Sequence, residues 1–507
     1  MTSGIHHVTA ITRDVQANVD FWMGFLGLSL VKQTAGFEDA EQLHLFYGDP
    51  QGRPGSLVSF LVWQDGAPGR MGHGRVAEIA LAIPCARIGD WLTRAMQRGL
   101  RVEGPVREWA EPVLRLKDPD GIIVKLVGTD APDTGWPAAP ARLRAVTIWS
   151  AVPEQTAAFL VPFGYRHGGT EGGLTRLVSD TDAVDIRDAS GFVPGIPGTG
   201  VIDHVALRLP DLAALQDHHQ SLARRNAGDV TVHDRTYFAS LYVREPGDTL
   251  IELATDGPGM AIDEPADALG RVLMFPPHVA ETGDLPLLLP QFARPGEERT
   301  VMRDLPFVHR LRQPDKPDGQ TMLLLHGTGG NEADLMPLAH RIAPHATLLG
   351  LRGRSTEEGV ARFFRRTSMT SFDQDDIRAE AGAFAAFWQS AVAAYGLEPA
   401  RITVMGYSNG ANFAAAVMGL HPGLIRRAIL MRPMAVLEDL PAPDLSGLSV
   451  LTLTGARDPY GPHAPRLNDW LARQGADLDA RVVQAGHDLT ADDLAAAIDW
   501  MKERTNG

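Results

Sequence analysis

A single cysteine, Cys85, stands in a chain of 507 residues, which excludes an intrachain disulfide and fits a reducing compartment. Long hydrophobic runs are missing as well. None approaches the roughly 20 residues that a membrane-spanning helix needs. The opening MTSGIHHVTA lacks the basic stretch followed by an apolar core that marks a secretory signal. Nor is there an excess of positive charge: Lys and Arg number 47 against 62 Asp and Glu, a net charge of -15. That balance excludes nucleic acid and anionic membrane surfaces as expected partners and favours a cytoplasmic protein. What remains is ordinary globular composition, 44% hydrophobic and 21% charged. The length calls for roughly two to four domains.

The most informative stretch is residues 234–259, DRTYFASLYVREPGDTLIELATDGPG. Two β-rich runs flank a Glu-Pro-Gly-Asp break, which predicts a hairpin. Glu252 lies inside the second run, between Ile251 and Leu253. A carboxylate in an apolar strand is costly to bury unless it is paired or binds a metal. Two other β-rich runs, GIHHVTAIT and VIDHVALRL, each carry a histidine near the start, His7 and His204. Two imidazoles and one carboxylate form the ligand set of a non-haem Fe(II) oxygenase, which leaves coordination positions open.

The chain also repeats. IHHVTAI, VAEIALA, LRAVTIW and IDHVALR each start a unit, each precedes a helix-like stretch, and short strands follow. The helix-like stretches are residues 15–26, 88–99, 152–163 and 212–223. This layout resembles the vicinal-oxygen-chelate superfamily, tandem βαβββ units paired into half-open barrels. The resemblance implies four units at about 1–70, 71–130, 140–192 and 198–256, within a domain covering 1–280. At the first-strand ligand position the units carry His7, Glu78, Ala145 and His204. Lys125 stands where the fourth unit has Glu252. The metal set is therefore expected from units one and four.

That pairing, together with the tail YFASLYVREPGDTLIELATDGPG, is similar to the hydroquinone ring-cleaving dioxygenases. The similarity implies Fe(II), with Mn(II) as the alternative, held by His7, His204 and Glu252. It also implies pocket roles for His6, Thr9, Arg235 and Tyr242. Strict strand alternation points His6 away from His7, so a role for His6 requires the strand to bend. Asp203 stands where the chlorohydroquinone enzymes lead one to expect histidine. Residues 256–270 read as a loop and short helix closing the domain, and 281–299, rich in Pro, Gly and Glu, as a linker.

From residue 300 to 507, strands alternate with long helices, which predicts a parallel sheet covered on both faces. A strand runs into Gly406-Tyr407-Ser408-Asn409-Gly410 and a small-residue helix leaves it, the arrangement of a nucleophile elbow. Asp458 and His487 follow, each just beyond a strand, in the order nucleophile, acid, base. Ser408 is assigned as nucleophile, His487 as base and Asp458 as the orienting acid. Asp488 directly follows the histidine and is badly placed to compete. Backbone N–H groups of Asn409 and Thr328 would form the oxyanion hole. LLLHGTGGNEADL, VMGYSNGANFA, TGARDPYGP and AGHDLT resemble the small carboxylesterase/phospholipase family of α/β-hydrolases.

The expectation is a bifunctional aromatic-degrading enzyme. Its first half would cleave a hydroquinone with O2, extradiol-fashion. Its second half would hydrolyse an ester, a lactone or the ring-opened product. The alternative has the first half as a non-catalytic small-molecule-binding or glyoxalase-like module beside an active carboxylesterase. A homo-oligomer is compatible with either reading.

Overall fold

The computed structural model describes residues 3–224, 231–280, 282–299 and 302–505. The chain divides into two compact units, Met1–Arg299 and Thr300–Gly507. In the first unit, the order strand, helix, three strands occurs four times. The first repeat is β1 (Ile5–Thr12), α1 (Val15–Val19), β2 (Ser29–Ala35), β3 (Leu43–Gly48) and β4 (Leu57–Val62). The second is β5 (Arg75–Pro84), α2 (Ile88–Gln97), β6 (Glu103–Glu108), β7 (Glu111–Lys117) and β8 (Ile123–Thr129). The third is β9 (Arg142–Ser150), α3 (Pro153–Leu160), β10 (Arg166–Glu171), β11 (Leu174–Val178) and β12 (Ala183–Asp188). The fourth is β13 (Ile202–Leu209), α4 (Leu212–Arg224), β14 (Val232–Asp234), β15 (Phe238–Arg244) and β16 (Leu250–Pro258).

The sheets do not follow chain order. β1 pairs antiparallel with β13 and β5 with β9, so the first repeat joins the fourth and the second joins the third. One sheet runs β14-β15-β16-β13-β1-β4-β3-β2, the other β10-β11-β12-β9-β5-β8-β7-β6. A single apolar core holds residues of both, Val8 and Val205 beside Ile79 and Val146. The helix after β1 is capped by the Asp14 side chain, which accepts from the Ala17 N–H. It then widens into a π-helical stretch, Asp20–Phe25, that buries Phe21, Trp22 and Phe25.

The hairpin at residues 234–259 forms as the sequence predicts, with Tyr242 opposite Glu252 and Arg244 opposite Leu250. Its turn is tied down by a buried acid. Glu245 accepts hydrogen bonds from Thr156 Oγ1 at 2.6 Å, Gly247 N–H at 2.7 Å and Thr249 N–H at 3.0 Å. A Cβ on Gly247 would collide with Ser150 Oγ, so this position has room only for glycine.

Beyond the hairpin, the short helix expected within 256–270 is one 3-10 turn, Met260–Ile262. The segment is anchored by buried Lys32, whose Nζ meets Asp263 at 2.5 Å and Glu264 at 2.6 Å. β17 (Leu273–Met274) then adds to the edge of the first sheet, parallel to β2. Residues 282–299 correct the linker expectation; Glu281 lies outside the described residues. Around α5 (Leu285–Leu288), the side chains of Leu285, Leu287 and Leu289 are buried. The Gln16 amide holds both the N–H and the carbonyl of Ala293. The run LPLLL must leave water, and that need overrides the Pro- and Gly-rich composition around it.

The second unit is an α/β-hydrolase fold. Its strands are β18 (His309–Arg312), β19 (Thr321–Leu325), β20 (Thr347–Leu351), β21 (Ile402–Tyr407), β22 (Arg427–Met431), β23 (Ser449–Gly455) and β24 (Asp477–Val483). They lie in the order β18-β20-β19-β21-β22-β23-β24, with only β18 antiparallel to its neighbour. Its helices are α6 (Met336–Ile342), α7 (Gln374–Tyr395), α8 (Asn409–Leu420), α9 (Ala464–Arg473) and α10 (Ala491–Thr505).

In the second sheet of the first unit, charges fill the ground that corresponds to the candidate metal ligands. Lys125, 4% exposed at its side chain, places Nζ 2.6 Å from Glu78 and 2.8 Å from Glu108. Arg115 meets the same two acids at 3.1 and 3.2 Å. Only a cavity of about 10 Å³ is left there. Removing a mostly buried cation strands its partners. Lys125→Ala is expected to cost the first unit about 3 kcal/mol in urea unfolding. Lys125→Met combined with Glu78→Leu is expected to recover most of that loss. An equal loss in the single and double variants would show that the cluster contributes packing alone.

Candidate functional site

His7, His204 and Glu252 come from three neighbouring strands, β1, β13 and β16. His7 lies opposite Ala206, Ala206 opposite Glu252, and Thr9 opposite His204. Strand alternation then places His7, Thr9, His204 and Glu252 on one face of the sheet. The ligand atoms of the three lie within 4.8 Å of one another, the one such group among the described residues. Glu252 Oε2 is 2.9 Å from His7 Nε2 and 3.0 Å from His204 Nε2. Yet His204 Nε2 and both Glu252 oxygens are buried without a hydrogen bond. The atoms converge on one spot at ion-pair distance, without hydrogen-bond geometry between them. Two imidazoles and a carboxylate so arranged fit a divalent transition metal.

Electrostatics agree with a site built for cations. Burial disfavours the charged form of Glu252, but the two imidazoles outweigh it and hold the carboxyl well below its usual range. Burial also opposes a proton on His204. The hydrogen bond to Asp203 and the negative charge of Glu252 close by overcome it and raise the group to about 9.

Two features behind the ligands were hidden in the sequence. Asp203 Oδ2 accepts from His204 Nδ1 at 2.8 Å, which fixes the ring and leaves Nε2 facing the cluster. The position flagged as a departure from the chlorohydroquinone enzymes therefore carries a supporting carboxylate. The other feature is a break in β1. The register shifts between Ile5 and His7, so His6 is bulged out of strict alternation. Its Nδ1 sits 2.9 Å from His7 Nδ1, and burial, then His7, lowers it to about 3. His6 braces His7 and does not line the cavity.

That cavity, of about 470 Å³, is lined by His7, Thr9, His204, Arg235 and Tyr242, with Phe46 and Phe238 as apolar wall. The Tyr242 ring stands edge-on to His204 at 5.4 Å, and the Arg235 guanidinium lies 5.4 Å from the Tyr242 ring. Arg235 also pairs with exposed Glu38 at 2.9 Å. Burial pushes the Tyr242 hydroxyl well above its ordinary range, so it stays protonated. Sequence reasoning missed His44. Its Nε2 is 3.1 Å from Ser59 Oγ, which is 2.9 Å from Thr9 Oγ1. Burial lowers His44 to about 3, so it is a neutral imidazole in the cavity wall. A lone histidine in LHLFY carries no sequence signal beyond strand alternation.

In the second unit, His487 Nε2 is 3.0 Å from Ser408 Oγ, and His487 Nδ1 is 3.0 Å from Asp458 Oδ2. Asp458 is 1% exposed at its side chain and His487 is 31% exposed. Ser408 has φ 49, the left-handed backbone of a nucleophile elbow between β21 and α8. A Cβ on Gly410 would strike the Leu325 carbonyl, which explains the glycine two residues after Ser408. Asn409 opens α8, and Thr328 is an exposed residue in the loop after β19. Asp488 does not contact the imidazole; its carbonyl oxygen accepts from Arg432.

The pattern of the Glyoxalase/Bleomycin resistance protein/Dioxygenase superfamily matches residues 4–126. Over 291 residues the chain is 33% identical to a Bacillus subtilis protein provisionally named ring-cleaving dioxygenase MhqO, covering 54% of this chain and 91% of that one. It is 28% identical over 303 residues to the chlorohydroquinone/hydroquinone 1,2-dioxygenase of Sphingobium indicum, covering 55% and 94%. Over a further 184 residues it is 37% identical to a Bacillus subtilis protein provisionally named hydrolase MhqD, covering 36% and 92%.

The geometry around His204 yields a pH-dependent expectation. A metal ligand must be unprotonated, and in the metal-free protein His204 holds its proton up to about pH 9. Apparent affinity for a divalent metal should therefore fall as pH drops below about 9, by roughly tenfold per unit for one displaced proton. Asp203→Ala removes a partner that raises this pKa. It should move the midpoint of metal binding to lower pH and weaken the high-pH plateau by about 10- to 100-fold. Chelator competition across pH 5–10 measures both; a pH-independent affinity would show that His204 is not a ligand.

Proposed function

The chain belongs to the Glyoxalase/Bleomycin resistance protein/Dioxygenase superfamily through its first unit, and from that premise we propose that it is a two-activity enzyme of aromatic degradation. In this reading the first unit cleaves the ring of a hydroquinone with O2, using Fe(II), or Mn(II) in its place, held by His7, His204 and Glu252. The observation that carries it is the convergence of buried, hydrogen-bond-free His204 Nε2 and Glu252 oxygens beside an aromatic-walled cavity. Bound Fe(II) would supply the path for electrons from ring to O2. The protein's own groups do the rest. Phe46 and Phe238 offer apolar wall to a flat ring. Arg235 supplies positive charge near an ionised phenolic oxygen, and protonated Tyr242 donates a hydrogen bond. Neutral His44 completes the polar wall of the cavity, hydrogen-bonded to Ser59 with Thr9 linked behind it.

In the same reading the second unit hydrolyses an ester, a lactone or the ring-opened product, before or after ring cleavage. His487 Nε2 takes the Ser408 hydroxyl proton as Oγ attacks the acyl carbon. Asp458 stabilises the imidazolium through Nδ1–H. The N–H groups of Asn409 and Thr328 receive the developing oxyanion. The proton on Nε2 passes to the leaving group, and His487 activates water to release the acyl group from Ser408. The two units resemble Bacillus subtilis proteins named for two different reactions, a ring-cleaving dioxygenase and a hydrolase, which supports two activities on one chain.

Oxygen uptake by anaerobically Fe(II)-loaded protein, with methylhydroquinone and catechol offered in turn, tests the reading. Uptake with methylhydroquinone and loss of the ring's ultraviolet band are expected. His7→Ala should lower that rate by about 100-fold or more, consistent with removal of a ligand. Ser408→Ala should keep oxygen uptake and lose roughly 10⁴-fold or more in ester hydrolysis. Uptake with catechol alone would move the substrate class. No uptake by iron-loaded protein would leave the hydrolase as the only activity.

A further inference from the structure

Arg432 is a buried cation whose guanidinium holds the carbonyls on either side of His487 and lies beside Asp458, and we propose that it is a positioning residue of the hydrolase site. The inference rests on the Ser408–His487–Asp458 reading given above. Arg432 follows β22 with φ 58, a left-handed backbone that a side chain adopts at a cost. The backbone at this corner is pinned on both sides. Arg432 N–H donates to the Leu453 carbonyl at 2.7 Å, and the preceding Met431 carbonyl accepts from the Ser408 N–H at 2.8 Å. The guanidinium is fully buried. Its Nε donates to the Gly486 carbonyl at 2.9 Å and its Nη2 to the Asp488 carbonyl at 2.8 Å. Those carbonyls flank His487. Its other face forms a two-pronged pair with Asp493, at 2.7 and 2.9 Å, at the start of α10. Nε also lies 3.9 Å from Asp458 Oδ2, the oxygen that meets His487 Nδ1.

One planar fork thus clamps the loop that carries the base and lies beside the acid. A lysine has no such fork and cannot hold these acceptors at once. The charges matter as much as the bonds. Asp493 is fully buried and so is the Asp458 side chain, almost entirely. Arg432 neutralises Asp493 and tempers Asp458, so His487 faces about one net negative charge. The groups that face the imidazole directly are Asp458, Ser408 and the rings of Tyr407 and Tyr460, at 5.6 and 5.3 Å. Asp488 neighbours it in the chain, and Arg432 and Asp493 stand behind the loop. Losing the guanidinium exposes His487 to a second carboxylate and should raise its proton affinity. Losing the Asp493 charge should do the reverse.

The test uses the full chain with p-nitrophenyl acetate, rates being counted per Ser408 labelled by a fluorophosphonate. Arg432→Lys keeps the charge but not the fork. It should lower kcat about 100-fold, as expected of a base displaced by an ångström, with little change in KM. Arg432→Gln should move the acid limb of kcat/KM up by about one pH unit, and Asp493→Asn should move it down by a similar amount. Opposite shifts support the proposal; limbs that stay put or move together overturn it. Should Arg432→Gln fail to fold, Asp493→Asn decides alone: a downward shift supports the role and an unmoved limb overturns it. Wild-type protein without Ser408-dependent turnover would instead overturn the triad reading itself, and Ser408→Ala separates that result from a failed Arg432 role.

Discussion

A carboxylate in the middle of an apolar strand has to meet positive charge or a metal, and the first unit is built around how position 252 meets that requirement. Glu252 is fully buried, and the groups that reach its oxygens are two histidine nitrogens from neighbouring strands. The second sheet answers the same requirement differently. There Lys125 takes the corresponding place in the last strand of its repeat, and Glu78 and Glu108 bind its ammonium. One fold therefore carries two solutions. An internal ammonium closes one cup almost completely, while two converging imidazoles and a carboxylate leave a cavity of about 470 Å³ beside the other.

Around this centre the supporting groups act by fixing direction. Asp203 holds the His204 ring, and the bulge at His6 brings a second imidazole against His7. The hairpin that carries Glu252 is fastened at its turn by Glu245, which binds backbone on its own turn and Thr156 of the third repeat. The strand that carries Glu252 is thereby tied to the third repeat. A shift of one residue in that hairpin would turn Glu252 to the opposite face, because side chains alternate along a strand.

The second unit solves a related problem with a different balance. There the imidazole of His487 reaches solvent while the carboxylate of Asp458 is kept dry. Asp458 lies under His487, and the strained Ser408 corner presents the hydroxyl to the imidazole. Buried charge is compensated close by: Arg432 and Asp493 face each other without exposure to water.

Residue types and their spacing alone determined a good deal. The four β-starting runs, the GYSNG turn and the Ser, Asp, His order announce two folds, because hydrophobic periodicity and turn chemistry are local properties of the chain. Glu252 betrayed itself as an acid with no reason to sit among Ile251 and Leu253. The segment 282–299 misled, since its Pro and Gly content hid the need of Leu285, Leu287 and Leu289 for burial. The residues at the repeated ligand position already pointed to the first repeat with the fourth, whereas tertiary structure alone decided the register of β1 on β13. It also decided that His6 leaves strand alternation, that Asp203 supports His204, and that His44 and Arg432 reach the two sites. Each of these depends on which distant strand lies alongside, and at what register. Such pairing is set by packing across the whole unit, and no short stretch of residues records it.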